Sequence, residues 1–177
     1  MNFQEFLESK KACEIAQKWA IGKTIEQAID ECHRGDWLLW LAKELNVEKR
    51  LIVGTAGHCA NTVRDLMKDE RSRNCVDVCI RYGNGEATDE ELAKAAAAAA
   101  AADAAWAWAA AEYAAAAWAA AAAEYAAWAA AAAEYAAWAA DAAAAWAAAA
   151  DAAKNQKQTA DICRKHLKEA MIEKWNK

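Results

Sequence analysis

The run AAAEYAAWAA, which occupies residues 121–130 and again residues 131–140, decides the fold class of this chain. It belongs to a longer stretch, residues 95–153, in which 44 of 59 residues are Ala and the other 15 are only Trp, Tyr, Asp or Glu. Ala has the highest helix propensity, and neither Pro nor Gly interrupts the stretch. The sequence therefore predicts helix from Thr88, which can form a capping box with Glu91, to about residue 153.

The aromatic residues of this stretch fall on one side of the predicted helix. At about 100° per residue, all of them except Trp108 lie within an arc of about 160°, which we call the aromatic face: Trp106, Tyr113, Trp118, Tyr125, Trp128, Tyr135, Trp138 and Trp146. A straight helix of this length would measure about 88 Å, far more than a domain of this size. We therefore expect the stretch to fold back, with the aromatic face mostly in the core.

The N-terminal part of the chain has the punctuation of short helices. Capping boxes are predicted at Asn2–Glu5 and Thr24–Gln27, and Asp36 is predicted to be the N-cap of the helix that begins at Trp37. The helix that begins after Thr24 is predicted to end at Gly35. Further helices are predicted over Ala12–Ala20, Val47–Lys68, Cys75–Tyr82 and Ala160–Trp175, with a charged loop at Asp69–Asn74.

Charge and composition exclude several classes of protein. The net charge is −5, which is not that of a general nucleic-acid binder, and the absence of Pro with only six Gly is not typical of a β-sandwich. The longest uncharged run in the Ala-rich stretch, Tyr113–Ala123, is too short to cross a membrane, and the first residues do not resemble a secretory signal. We expect a soluble cytoplasmic protein that binds neither membranes nor nucleic acid.

The cysteines and histidines suggest a metal site only weakly. Two pairs have spacings that place both side chains on one helix face: Cys163 with His166, and Cys75 with Cys79. Two pairs of adjacent residues could complete a site: His58 with Cys59, and Cys32 with His33. No Cys-x-x-Cys is present, and free Cys is among the most buried residue types. We therefore predict reduced, buried thiols, no metal and no cofactor. No nucleophile elbow or phosphate loop is present either, so we predict no catalytic residues and no enzyme.

Two binding surfaces are predicted on the Ala-rich stretch. The acidic face, opposite the aromatic face, could contact a basic protein partner through Glu112, Glu134, Asp141 and Asp151. Tryptophan side chains could instead enclose a planar ligand, with Trp108, Trp118, Trp128 and Trp138 as candidates.

Three blocks of the sequence, in this order, resemble the immunity-protein family of bacterial and phage genomes. They are Arg34–Leu41 (RGDWLLWL), Arg81–Leu92 (RYGNGEATDEEL) and the Ala/Trp-rich run, and Ala12–Thr24 is also similar. The family interleaves Arg with Asp in its Ala-rich run, whereas this chain has no Arg there. The resemblance implies a small intracellular protein that neutralises a toxin or another effector of bacterial conflict.

Together these features predict a single all-α domain resembling a helical bundle. Its parts are the short helices of residues 1–87, the Ala/Trp-rich helices of residues 88–153, and a basic C-terminal helix over residues 154–177. The predicted function is that of a non-enzymatic immunity or counter-defence protein that neutralises a protein partner, a toxin or defence effector, by stoichiometric binding. The alternative is a small-molecule sponge that sequesters a planar, nucleotide-like signalling ligand. A homo-oligomer is compatible with either function.

Overall fold

The chain is all-α, as the sequence predicts. The computed structural model describes residues 1–67, 69–110 and 149–177, with residues 66, 101–110 and 149–153 as backbone alone. Every regular element within these ranges is helical. The α-helices are α1 (Phe3–Ser9), α2 (Glu14–Trp19), α3 (Ile25–Glu31), α4 (Gly35–Glu44), α5 (Lys49–Asn61), α6 (Glu70–Gly83), α7 (Asp89–Ala110) and α8 (Ala149–Trp175), and a 3₁₀ turn spans Arg64–Leu66.

Side-chain caps begin several of these helices where the sequence predicts them. Capping boxes are present at Asn2–Glu5, Thr24–Gln27 and Thr88–Glu91. In the last of these, the Glu91 backbone N–H donates to Thr88 Oγ1 at 3.1 Å, and the Thr88 backbone N–H donates to Glu91 Oε2 at 2.8 Å. Each box satisfies two N–H groups that the first turn of a helix leaves without partners.

The prediction of a loop at Asp69–Asn74 is wrong, and the helix before it is shorter than predicted. Helix α5 ends at Asn61 rather than at Lys68, and the 3₁₀ turn follows it. Asp69 is the N-cap of α6 and accepts a hydrogen bond from the Arg71 backbone N–H at 2.8 Å. The charges that suggested a loop therefore stabilise the first turn of a helix.

The prediction that Asp36 caps α4 is also wrong. Helix α3 already ends at Glu31, and α4 begins at Gly35, which places Asp36 in its first turn. Gly35 packs so closely against α8 that a β-carbon added to it would lie 2.6 Å from Thr159 Oγ1. The glycine is therefore not a helix stop, because it provides the close contact between the start of α4 and α8.

Helix α5 lies at the centre of the packing, in contact with α4, α6 and α8, while α6 also packs against α7. Gly54 on α5 meets Gly83 on α6, where the absence of side chains lets the two helices approach closely. The largest fully buried side chains come from α3, α4, α5, α7 and α8: Ile25, Ile29, Leu38, Val53, Thr55, Cys59, Leu92, Cys163, Leu167 and Met171.

Basic and aromatic side chains attach α8 to the N-terminal helices. The Arg164 guanidinium donates to the carbonyls of Ile29 and Cys32, which satisfies acceptors at the end of α3. Lys168, also on α8, forms an ion pair with Asp30 on α3. Two of the basic residues of the C-terminal helix therefore hold it against α3.

The predictions for the Ala-rich stretch fall largely outside the described residues. These predictions concern the fold-back of the stretch, the aromatic face, and the candidates Glu112, Glu134, Asp141, Trp118, Trp128 and Trp138. Trp108 lies on α7 and Asp151 on α8, where the structure describes only the backbone. Of the helices that are described, none is long and apolar enough to span a membrane.

Candidate binding groove

An apolar groove with a volume of about 390 Å³ lies between α1, α2 and α4. Its lining comes mainly from these three helices, with additions from α3 and the segment that follows it: Phe3, Leu7, Lys11, Ala12, Cys13, Ile15, Ala16, Trp19, Ala20, Ala28, Cys32, Arg34, Asp36, Trp37, Leu38, Trp40 and Leu41. Typical small-molecule pockets occupy about 300–1,000 Å³ and combine apolar walls with a few polar groups. This groove has both properties, so it is the candidate functional site.

Three tryptophans form the aromatic part of the groove. Trp19 on α2 and Trp37 on α4 meet edge to face, with ring centroids 5.9 Å apart and planes at 60°. Trp40 follows one helical turn after Trp37 and therefore lies on the same side of α4. All three side chains are half-buried, so each leaves aromatic surface that a ligand can cover.

A guanidinium group marks the polar end of the groove. Arg34 Nε donates to Asp36 Oδ1 at 3.0 Å, and its Nη2 contacts Asp36 Oδ2 at 2.5 Å. The same guanidinium lies over Trp37, with Cζ 5.0 Å from the ring centroid. The ion pair and the cation–π contact hold Arg34 against the tryptophan, which gives the apolar walls one ordered polar edge.

Helix α2 is a weakly anchored wall. None of its residues is buried, and its N-cap position, Cys13, makes no side-chain cap. The segments on either side turn through positive φ angles, 55° at Lys11 and 76° at Gly22. Ile15 lines the groove yet is 69 % exposed. Few buried contacts and an uncapped end are features of segments that open at low cost in free energy.

Two cysteines line the groove, the exposed Cys13 and the buried Cys32. Burial raises the pKa of Cys32, and its thiol donates to the Arg34 carbonyl at 3.4 Å. Since the thiolate is the reactive form of cysteine, a raised pKa makes Cys32 less reactive than an ordinary exposed thiol. The mostly apolar lining of the groove, with its three tryptophans, is suited to contact with an apolar or aromatic group.

The predicted metal candidates are brought together only in pairs. Cys59 and Cys163 meet in the core with their Sγ atoms 3.7 Å apart, and the neighbouring thiol and burial raise the pKa of Cys163. The imidazole rings of His58 and His166, from the same two helices, stack on each other. Burial and the nearby His58 lower the pKa of His166. Across the described ranges, no group of three or more His, Cys, Asp or Glu is arranged to hold a metal ion.

The groove is not predicted from the sequence, in which the Ala-rich stretch has the densest cluster of tryptophans. From the sequence, Asp36 and Trp37 are assigned to the start of a helix, and in the structure both also line the groove. A signal was nonetheless present in the block RGDWLLWL, since Trp37 and Trp40 are three residues apart and share a helix face. The opposite wall of the groove, which includes Trp19 on α2, could not be predicted from residue spacing, because Trp19 meets Trp37 only through tertiary packing.

The chain combines an all-α fold with an apolar groove whose walls are partly aromatic. No family model, curated protein or solved structure matches the chain. The resemblance to the immunity-protein family therefore stays an expectation based on its sequence blocks, the first of which contributes Arg34, Trp37 and Trp40 to the groove.

Proposed function

We propose that this chain is a non-enzymatic immunity or counter-defence protein, and that it neutralises a toxin or defence effector by stoichiometric binding in the groove. The observation that carries the proposal is the groove itself, in which Trp19, Trp37 and Trp40 surround apolar space beside the Arg34–Asp36 pair. Tryptophan and arginine dominate the residues that supply most of the binding energy at protein interfaces. A partner would place an apolar side chain against the exposed parts of these rings.

The open mouth of the groove supports a protein partner. Lys11, Cys13 and Ile15 all line it and are all exposed, so the groove is wide open along α2. Small-molecule pockets usually bury about 70–90 % of their ligand, which an open cleft does less well. A side chain presented on the surface of another protein suits this shape better.

A small-molecule sponge is the second candidate function, now with a different set of tryptophans. The volume of about 390 Å³ is sufficient for a planar ligand, and the faces of Trp19 and Trp37 could stack against one. The weak anchoring of α2 would let the wall close over such a ligand.

One experiment separates the two candidates and tests the groove. The chain is purified under native conditions from its own host as the wild type, Ile15→Glu and Ile21→Glu, and mass spectrometry identifies bound proteins and heat-released small molecules. Ile15 and Ile21 are both 69 % exposed, but only Ile15 lines the groove, so the second variant is a matched control.

We expect a stoichiometric protein with the wild type and Ile21→Glu, and much less of it with Ile15→Glu. The same pattern for a small molecule would favour the sponge. A partner retained equally by all three proteins would show that the groove is not the binding site.

The acidic face of the Ala-rich stretch stays a second proposed contact for a basic partner. Replacing Glu112, Glu134, Asp141 and Asp151 together with Lys should weaken the capture of such a partner and leave the helix content of the chain unchanged. Undiminished capture would leave the groove as the proposed contact.

A further inference from the structure

Two histidines face each other where α5 and α8 meet the solvent. The rings of His58 and His166 stack with centroids 4.9 Å apart and planes at 13°. His58 is half-buried and His166 is exposed, so the pair is accessible from outside. Both residues lie within long helices, Lys49–Asn61 and Ala149–Trp175, so the backbone holds the two side chains at a defined separation.

The ring nitrogens of His58 and His166 differ from the two nearby thiols in their partners. Neither ring makes a hydrogen bond to another residue in the described part of the chain. The two nearby thiols, in contrast to the imidazoles, both have hydrogen-bond acceptors. Cys59 donates to the Thr159 carbonyl at 3.6 Å, and Cys163 donates to the Gly35 carbonyl at 3.5 Å. The buried thiols are thus satisfied, whereas the ring nitrogens above them are available.

We propose that His58 and His166 form a surface site for a divalent transition-metal ion such as Zn²⁺ or Ni²⁺, with water completing the coordination sphere. Imidazole is the commonest protein ligand for these ions, whereas Mg²⁺ and Ca²⁺ prefer oxygen. Water fills the remaining positions because the described residues hold no group of three protein ligands.

Binding requires the two rings to turn out of their stack until one nitrogen of each points at the ion. The exposed position of His166 leaves its ring free to turn. The bound ion would then link α5 to α8 across the contact that already contains Cys59 and Cys163. Because the ion binds the folded chain, it should raise the unfolding temperature. This site is separate from the groove and does not depend on the proposed function.

The test is calorimetric titration of the full chain, without a histidine tag, with Zn²⁺. His58→Gln and His166→Gln should each weaken binding by about tenfold or more. His33→Gln is the matched control, since His33 is exposed and has no described histidine neighbour, and it should leave the affinity unchanged. Circular dichroism checks that each variant keeps its helix content.

A measurement on the wild type keeps the proposal testable even if a variant does not fold. The chain has 3 His, so imidazole NMR signals are few, and Zn²⁺ should shift those of His58 and His166 together but not that of His33. The site would be excluded by the absence of binding at millimolar Zn²⁺. It would also be excluded if Co²⁺ gave the intense near-ultraviolet band of thiolate ligation, or if both glutamine variants bound Zn²⁺ as the wild type does.

Discussion

Gly54 on α5 and Gly83 on α6 touch backbone to backbone. A β-carbon added to Gly54 would lie 2.7 Å from the Gly83 Cα atom, and one added to Gly83 would lie 2.5 Å from the Gly54 Cα atom. Real β-carbons essentially never come this close to another atom, and backbone cannot yield as a flexible side chain can. This close contact between α5 and α6 therefore depends on the absence of side chains at both positions.

Gly54→Ala and Gly83→Ala should each destabilise the protein, although Ala favours helix over Gly by about 1 kcal/mol. Because the added methyl group must push the helices apart, we expect a net loss of about 1–3 kcal/mol in the free energy of unfolding, measured by urea denaturation. If either variant were as stable as the wild type or more stable, the backbone contact between Gly54 and Gly83 would be contradicted.

Trp175 and Trp19 are both half-buried, but they should contribute unequally to stability. Trp175 on α8 meets Phe3 and Phe6 on α1 edge to face, with ring centroids 6.0 Å and 5.3 Å apart, so it attaches the first helix to the last. We expect Trp175→Ala to cost about 1–3 kcal/mol in the free energy of unfolding, and Trp19→Ala less than about 1 kcal/mol, since α2 buries no residue. Thermal and urea unfolding measure both, and equal losses would contradict this division.

The carboxylate of Asp89 should make stability depend on pH. Lys49 Nζ and the Tyr82 hydroxyl both donate to Asp89 Oδ1 at 2.8 Å, and these hydrogen bonds lower the pKa of Asp89. A carboxyl group whose pKa is lower in the folded chain contributes stability that is complete above its unfolded value, about 3.9. That stability is lost as the pH falls through the folded value.

Urea unfolding of the wild type and Asp89→Asn at a series of pH values measures this contribution. The wild type should be more stable at pH 6, and its advantage should shrink as the pH falls below about 4. Lys49→Met is the control. It removes the hydrogen bond from Lys49, which is the largest cause of the lowered pKa of Asp89, so the same pH dependence should become smaller. An advantage that stayed constant down to pH 2 would mean that Asp89 acts without its charge.

Local chemistry made much of the fold predictable. The capping box of Thr88 and Glu91 needs only four consecutive residues, so the start of α7 can be read directly from the sequence. Gly35 shows the limit of such reading, since glycine usually marks a helix end, whereas here it begins α4 because Thr159 leaves no room for a side chain. Only the packing of α8, far away in the sequence, carries that information.

The groove could not be predicted for the same reason. The contact between Trp19 and Trp37 brings together two helices that neither spacing nor propensity connects. The exposure of Ile15 is equally a tertiary property, because its apolar character alone predicts burial. The tryptophan candidates of the Ala-rich stretch lie outside the described side chains and stay a prediction, and the groove adds Trp19, Trp37 and Trp40 as a second set of candidates.

The aromatic face of the Ala-rich stretch provides a prediction from sequence alone. If this face is mostly core, Trp128→Ala and Trp138→Ala should each lower the unfolding temperature by several degrees, because each substitution removes a large buried ring. Differential scanning calorimetry measures the change. Unchanged unfolding temperatures in both variants would show that these rings lie on the surface.

The most direct test of the proposed function is the affinity of Ile15→Glu and Ile21→Glu for the molecule that copurifies with the wild type. Both changes place a carboxylate on an equally exposed position, and only Ile15 lines the groove. Isothermal titration calorimetry should show affinity about tenfold or more weaker for Ile15→Glu, because a charge would have to be desolvated against the partner, and unchanged affinity for Ile21→Glu. Equal affinity of both variants and the wild type would contradict binding in the groove.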